Sequence, residues 1–399
     1  MQTERKLRAT TLLMAVGVGV AVANIYYCQP LLGIMGRDLH VSDHRIGWIA
    51  MLTQAGTALG MLLFVPLGDI VERRALNVRM CVFVAFAAIL NAVAPSYSLL
   101  ALFSFVLGMA GVVPHLILPF AAHLAPEGSR GKVVGTVISG LLVGILLART
   151  AAGFVGAQFG WRAIFWISAG LMLALAFAFW RFLPQSHPTV RMHYFDLLRS
   201  VANLVRDHAD LRQSAFIGAM LFGAFSVFWT TLVFFLATPP YHYGARTAGA
   251  MGLLAAASAA LAPIIGRLID RQSPKLGIMV AVGLAVSSFF VMGLAGHWLF
   301  GLGAGVILLD VGVQTGHISN QTRIYNAFPH ARSRANTVYM VSYFIGGALG
   351  STLGNLAWSY AGWRGVCGVG ALMLVPALIT VRGMRDEKVS NRDPEISVA

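Results

Sequence analysis

The octapeptide Pro66-Leu67-Gly68-Asp69-Ile70-Val71-Glu72-Arg73 has a counterpart in Pro263-Ile264-Ile265-Gly266-Arg267-Leu268-Ile269-Asp270-Arg271. Both contain Gly-x-x-x-acid-Arg after a long apolar run, and their glycines are 198 residues apart, nearly half of the 399-residue chain. Ser129-Arg130 and Ser333-Arg334 repeat at an offset of 204, and Gly160-Trp161-Arg162 and Gly362-Trp363-Arg364 at 202. One such match would carry little. Three in the same order, at nearly the same offset, mark an internal duplication.

The material between these matches is apolar. Only 11% of residues are charged while 57% are hydrophobic, whereas a soluble chain carries about a quarter charged residues. Lipid is therefore the expected solvent. Runs long enough to cross about 30 Å of hydrocarbon lie near 9–35, 46–68, 75–94, 98–122, 132–156 and 163–182, then near 213–237, 246–266, 276–295, 297–321, 335–359 and 365–381. These are spans one to twelve. Unpaired backbone groups are too costly in lipid for them to be anything but helices. The fold class expected is all-α integral membrane: twelve transmembrane helices in two pseudo-symmetric six-helix bundles. Residues 1–182 form the N-terminal bundle and 213–381 the C-terminal one, with 183–212 a cytoplasmic linker and 382–399 a cytoplasmic tail. Ala21-Val22-Ala23 resembles a signal-peptidase site, but the apolar run continues to Met35, longer than a signal core needs.

The net charge of +14 is not a nucleic-acid footprint, because no folded polar domain carries it. Of the 29 Lys and Arg residues, 23 fall in segments on the side of the two termini, five on the other side, and one, Arg149, within a span. That bias predicts cytoplasmic termini. In the linker, Phe195, Leu197, Leu198, Val201, Leu204 and Val205 are spaced as on a helix face. They suit either an amphipathic helix on the inner membrane surface or a solvated linker with local helicity. Cys28, Cys81 and Cys367 lie far apart in apolar runs and make neither a disulfide framework nor a metal cluster.

With its six-plus-six repeat, long central loop and Gly-x-x-x-acid-Arg after spans two and eight, the chain resembles the major facilitator superfamily over essentially its whole length. Gly160-Trp161-Arg162 before span six, and Asn24-Ile25-Tyr26-Tyr27-Cys28-Gln29-Pro30 in span one, are similar to the twelve-span drug:proton antiporter branch. Three departures stand out. Glu72 replaces an Asp of the family loop, and Ala75 a second glycine. Span five has Arg149 where antiporters have proline.

Gly68 and Gly266 allow close helix approach at the inner face, where Glu72, Arg73, Asp270 and Arg271 can cap helix ends and pair across the two halves as a gate. Gly140, Gly144, Ala148, Ala152 and Gly156 in span five, and Ser342, Gly346, Gly350 and Gly354 in span eleven, make matching small-residue stripes. Of 15 acidic residues only Asp310 lies mid-span. A charge there costs at least about 2.5 kcal/mol, so it faces a cavity or a partner. Gln314, His317 and Gln321 follow on the same helical face. Asp310, His317, His115 and Arg149 are the proton-coupling candidates. Asn24, Tyr27, Gln29, Trp229, Gln314 and Gln321 are candidates to line the substrate pathway, since aromatic groups with a few polar ones suit an organic ligand. Static packing or a buried polar interface is the competing reading for each.

No phosphate-binding Gly-x-x-x-x-Gly-Lys loop, metal-ligand spacing or nucleophile–base motif is present, so no cofactor, metal or enzymatic activity is expected. A membrane receptor or membrane enzyme is the alternative of another class. The reading that results is a secondary transporter in a bacterial inner membrane, rocking two halves about a midplane site. Its partners are a small-molecule substrate, protons and membrane lipid, with no nucleic acid, and a monomer is expected. By resemblance, proton-coupled efflux of a small organic compound or drug leads. Proton-coupled import or export of a specific metabolite (a sugar, nucleoside or amino-acid derivative) is the alternative.

Overall fold

Both small-residue stripes are in close backbone contact with a neighbouring helix. In the computed structural model, which describes residues 2–126, 129–186, 193–254, 273–328 and 331–384, a side chain at Gly140 would strike the backbone of Ala15, and one at Gly144 that of Gly19. In the second half, Gly346 lies on Ala219 and Gly350 on Gly223 in the same way. Spans one and five thus pack as spans seven and eleven do, and any Cβ would force the helices apart.

Among the described residues the membrane-length helices are Leu7–Asp38, Asp43–Asp69, Arg73–Ala92, Tyr97–Leu124, Gly131–Phe159, Trp161–Phe182, Ala209–Ala237, Pro274–Ala295, Leu299–Ala327 and Arg332–Arg382. The last has 51 residues, about 75 Å of helix and far more than a bilayer needs. It is two spans, broken at Gly362, where φ is 57°. The corresponding Gly160 has φ 80°, so the duplicated Gly-Trp-Arg begins each half's last span at a backbone angle that favours glycine. The eighth span is described only as helix 245–254, and the rest of it lies outside the described residues. Gly266, Asp270 and Arg271 fall there.

Three described spans are interrupted at proline, the fourth between Ala110 and Val113 just before Pro114. The first is helical over Gln2–Tyr26, passes through a tight turn at Gln29–Leu31 that contains Pro30, and resumes over Leu32–Asp38. The second ends its regular helix at Phe64 and finishes in a similar turn over Pro66–Asp69. Helix Tyr194–Asp207 occupies the linker, with Leu197 and Val201 buried and Phe195 exposed. Its Tyr194 hydroxyl donates to the Leu63 carbonyl at 2.8 Å. Span seven begins at Ala209 rather than near 213. The break falls at His208, and Asp210 in the first turn suits the positive end of the helix dipole.

Candidate functional site

The kink in span one carries Gln29 into the bundle, where its Oε1 accepts from Arg149 Nε at 2.8 Å. Arg149 is 1% exposed. Its guanidinium lies over the Trp229 ring at 4.0 Å, with Tyr26 at 4.7 Å and Phe225 at 5.3 Å. Desolvated cation–π contacts of this kind contribute about 2 kcal/mol. Its Nη1 and Nη2 have no hydrogen-bond partner. Trp229 Nε1 in turn donates to Asp310 Oδ1 over a long 3.4 Å, and Asp310 Oδ2 is also unpartnered. The two charges isolated by the sequence therefore meet across one indole, Arg149 over its face and Asp310 at its edge. No ion pair within 4.0 Å joins them. Spans one and five contribute one side of this cluster, spans seven and ten the other. A small pocket opens beside the guanidinium, lined by Gln29, Pro30, Trp229, Leu232, Val233 and Ala248.

Two helical turns beyond Asp310, His317 Nδ1 is 3.1 Å from the Tyr339 hydroxyl, and its ring packs on Tyr343. His115, from span four, stands edge-on to Phe344. Both histidines are half-buried. Gln314 lies between Asp310 and His317 on that face and is also half-buried. Gln321 Nε2 donates to Asn336 Oδ1 at 3.1 Å, tying span ten to span eleven. Tyr27 is buried at the kink. Asn24 turns away from the central cluster: its Oδ1 accepts from Ser168 Oγ and its Nδ2 donates to Val20 and Ala21 carbonyls. Its oxygen is spent on the joint between spans one and six and its amide nitrogen on the backbone of span one itself.

The loop after span two is the half of the expected gate that lies within the described residues. Glu72 caps helix Arg73–Ala92, accepting from the backbone N–H of Arg74 and Ala75. It also takes the N–H of Ser186, at the end of span six, at 2.9 Å. Partial burial works against the ionised form, but these three donors and the nearby Arg74 hold the Glu72 carboxyl below its usual range. Arg73 Nε donates to the Gly68 carbonyl at 3.2 Å. The contacts seen join Glu72 and Arg73 to the first half and the start of the linker, while their expected partners Asp270 and Arg271 lie outside the described residues. A carboxylate at an N-cap is claimed by the free N–H groups of the first turn before it can reach further. The side chain that does cross is Asp69, which accepts from Ser333 Oγ at 3.3 Å.

Residues not singled out from the sequence join the halves on the opposite side. Gln54 Nε2 donates to Ser226 Oγ at 2.9 Å and Ser351 Oγ at 3.2 Å. Thr150 Oγ1 donates to the Gly249 carbonyl at 3.0 Å. Asn355 Nδ2 donates to the His44 carbonyl, and Ser359 Oγ is 3.3 Å from His44 Nδ1. A lone glutamine in span two was the available signal.

Residues 14–329 match the Major Facilitator Superfamily. The chain is 40% identical over 384 residues to the uncharacterized transporter YgaY of Escherichia coli O157:H7, covering 96% of this chain and 98% of that one. It is 37% identical over 365 residues to a chain of Streptomyces coelicolor described as a probable transporter, covering 91% and 84%. Among solved structures, the nucleoside transporter NupG aligns with a TM-score of 0.75 at 14% identity, covering 93% of this chain and 98% of that one. With the family match spanning most of its length and its closely aligned relatives described as transporters, this chain belongs to the Major Facilitator Superfamily and is a multi-pass membrane transporter.

Proposed function

We propose that the protein is a proton-coupled secondary transporter working by alternating access, with the Arg149–Trp229–Asp310 cluster as its coupling site. One observation carries this reading. Two buried charged groups from opposite halves meet across an indole, each with polar atoms left unspent. Such groups are costly in a membrane unless a ligand or a proton uses them. Asp310 is the proton carrier, with His317 and His115 next along the path toward the cytoplasmic face. Residues 1–182 and 213–381 rock as units joined by the 183–212 linker. The setting is a bacterial inner membrane, with cytoplasmic termini and one chain per carrier.

Efflux of a small organic compound in exchange for protons is the direction that resemblance to drug:proton antiporters supports. Transport of a specific metabolite is the second reading. It is favoured by the two unpartnered terminal nitrogens of Arg149, which suit a polar group of defined geometry better than a range of drugs. The test is Asp310→Asn in proteoliposomes, with uptake and counterflow measured across a substrate panel. The variant keeps the acceptor for Trp229 but carries no proton. It should retain substrate exchange at equal pH and lose flux driven by a pH gradient. Full gradient-driven flux would move the coupling elsewhere or make the protein a uniporter.

A further inference from the structure

Arg149 cannot lose its charge in a protein, whereas Asp310 sheds its own by taking a proton. The permanent charge of the central site is therefore positive. One edge of the guanidinium is spent on Gln29 and its faces on aromatic rings. That leaves the terminal Nη1 and Nη2 unpartnered beside a pocket whose other walls include Pro30, Leu232, Val233 and Ala248. Two parallel N–H donors on a planar fork are the complement of a carboxylate. Cages of this kind also hold the fork rigid, so little side-chain entropy is lost on binding.

We propose that the site takes a small organic anion, its carboxylate held by Nη1 and Nη2 of Arg149 beside a cavity of about 10 Å³, with Trp229, Leu232 and Val233 parting to receive its apolar body as the halves rock. This rests on the reading that the cluster is the transport site. A cation could use the free oxygen of Asp310 but would sit beside a guanidinium that stays charged at every pH. The anion binds with Asp310 protonated, because an ionised Asp310 would offset Arg149 and repel the incoming carboxylate. Around Asp310 the other titratable groups are Tyr26 from span one, Tyr343 from span eleven and, two turns away on its own helix, His317. A cargo and a proton that favour each other's binding travel together as a symport, which joins this proposal to the metabolite reading above and not to efflux in exchange for protons.

The experiment uses the purified full-length chain in detergent, with thermal stabilisation read against three matched probe sets. The acids are benzoate, phenylacetate, butyrate and lactate; their amides and the amines of the same skeletons complete the panel. At least one acid should stabilise the chain, more strongly at acid than at alkaline pH, and its amide and amine should not. Arg149→Gln should weaken that acid more than about tenfold, the loss of one or two charge-assisted hydrogen bonds. Arg149→Lys, which keeps the charge without the fork, should fall between. Asp310→Asn should keep acid binding and lose its pH dependence, which separates Asp310 from His317. Stabilisation by amides or amines, acid binding unchanged in Arg149→Gln, or no acid binding at all would each overturn the proposal. If Asp310→Asn still moves substrate down a pH gradient while acids bind through Arg149, the coupling reading fails and the anion site stands. If Asp310→Asn uncouples flux but acids are not preferred, the reverse holds.

Discussion

Arg149 and Arg323 are both buried, at 1% and 4% exposure, yet their surroundings are opposite. Arg323 Nη1 donates to the Asp210 carbonyl at 3.1 Å and to Ser214 Oγ at 2.8 Å, and its Nη2 pairs with the Asp210 carboxylate at 2.8 Å. It braces span ten against the start of span seven, and one of its partners is more than half exposed. Arg149 has a single hydrogen bond, two idle donors and a ring on each side. A saturated buried arginine is part of the scaffold. The unsaturated one is the residue proposed above to take a ligand.

Replacing each by methionine tests this contrast most directly. Arg149→Met should cut transport on the order of a hundredfold, the scale of losing a buried charged contact to a ligand. Its melting temperature should barely change, because the lost cation–π contacts and the relieved idle donors roughly offset. A large loss of stability would show that Arg149 is scaffold after all. Arg323→Met should do the opposite, costing about 2 kcal/mol of stability while transport per folded molecule is retained. Unfolding monitored by light scattering, alongside flux, separates the two.

The smallest effect concerns Glu72, another saturated charge but a partly exposed one. Its depressed pKa means that its contribution is fully present above the ordinary Glu range, near 4.3, and is lost as pH falls through the folded-state value. Glu72→Gln should therefore cost about 1 kcal/mol at neutral pH, the worth of an N-cap, and little in strong acid. Thermal unfolding at the two pH values reads the difference. Equal loss at both would mean that the cap's hydrogen bonds, not its charge, matter.

The apolar runs announced the spans because crossing hydrocarbon demands them residue by residue, and the glycine stripes announced their seams because only missing side chains permit backbone contact. Arg149 and Asp310 were legible for the same local reason, since a charge in a span has to be accounted for. Partnerships were not. Asn24 and Gln29 lie five residues apart in one span, yet one faces Ser168 and the other Arg149. Five residues are about 140° around a helix, so the period separates their faces, but it cannot say which neighbouring span each face meets. Gln54 escaped notice because an amide is cheap enough in a span to need no explanation until its partners across the halves are seen. Asp69 was passed over beside Glu72, since two carboxylates in one loop look alike until one is used as a cap.

Among the described residues, hydrogen bonds that join the halves on the side away from the termini include Gln54 to Ser226 and Ser351, Thr150 to Gly249, and Asn355 and Ser359 to His44. Inter-helix hydrogen bonds within membranes contribute only about 0.6 kcal/mol each, roughly 3 kcal/mol for this set. One elementary charge crossing a potential of about 100 mV releases about 2.3 kcal/mol of electrical work. On the proton coupling proposed above, latch and driving force are of similar size, so one proton per cycle would suffice to open this face and a few added bonds would stall it.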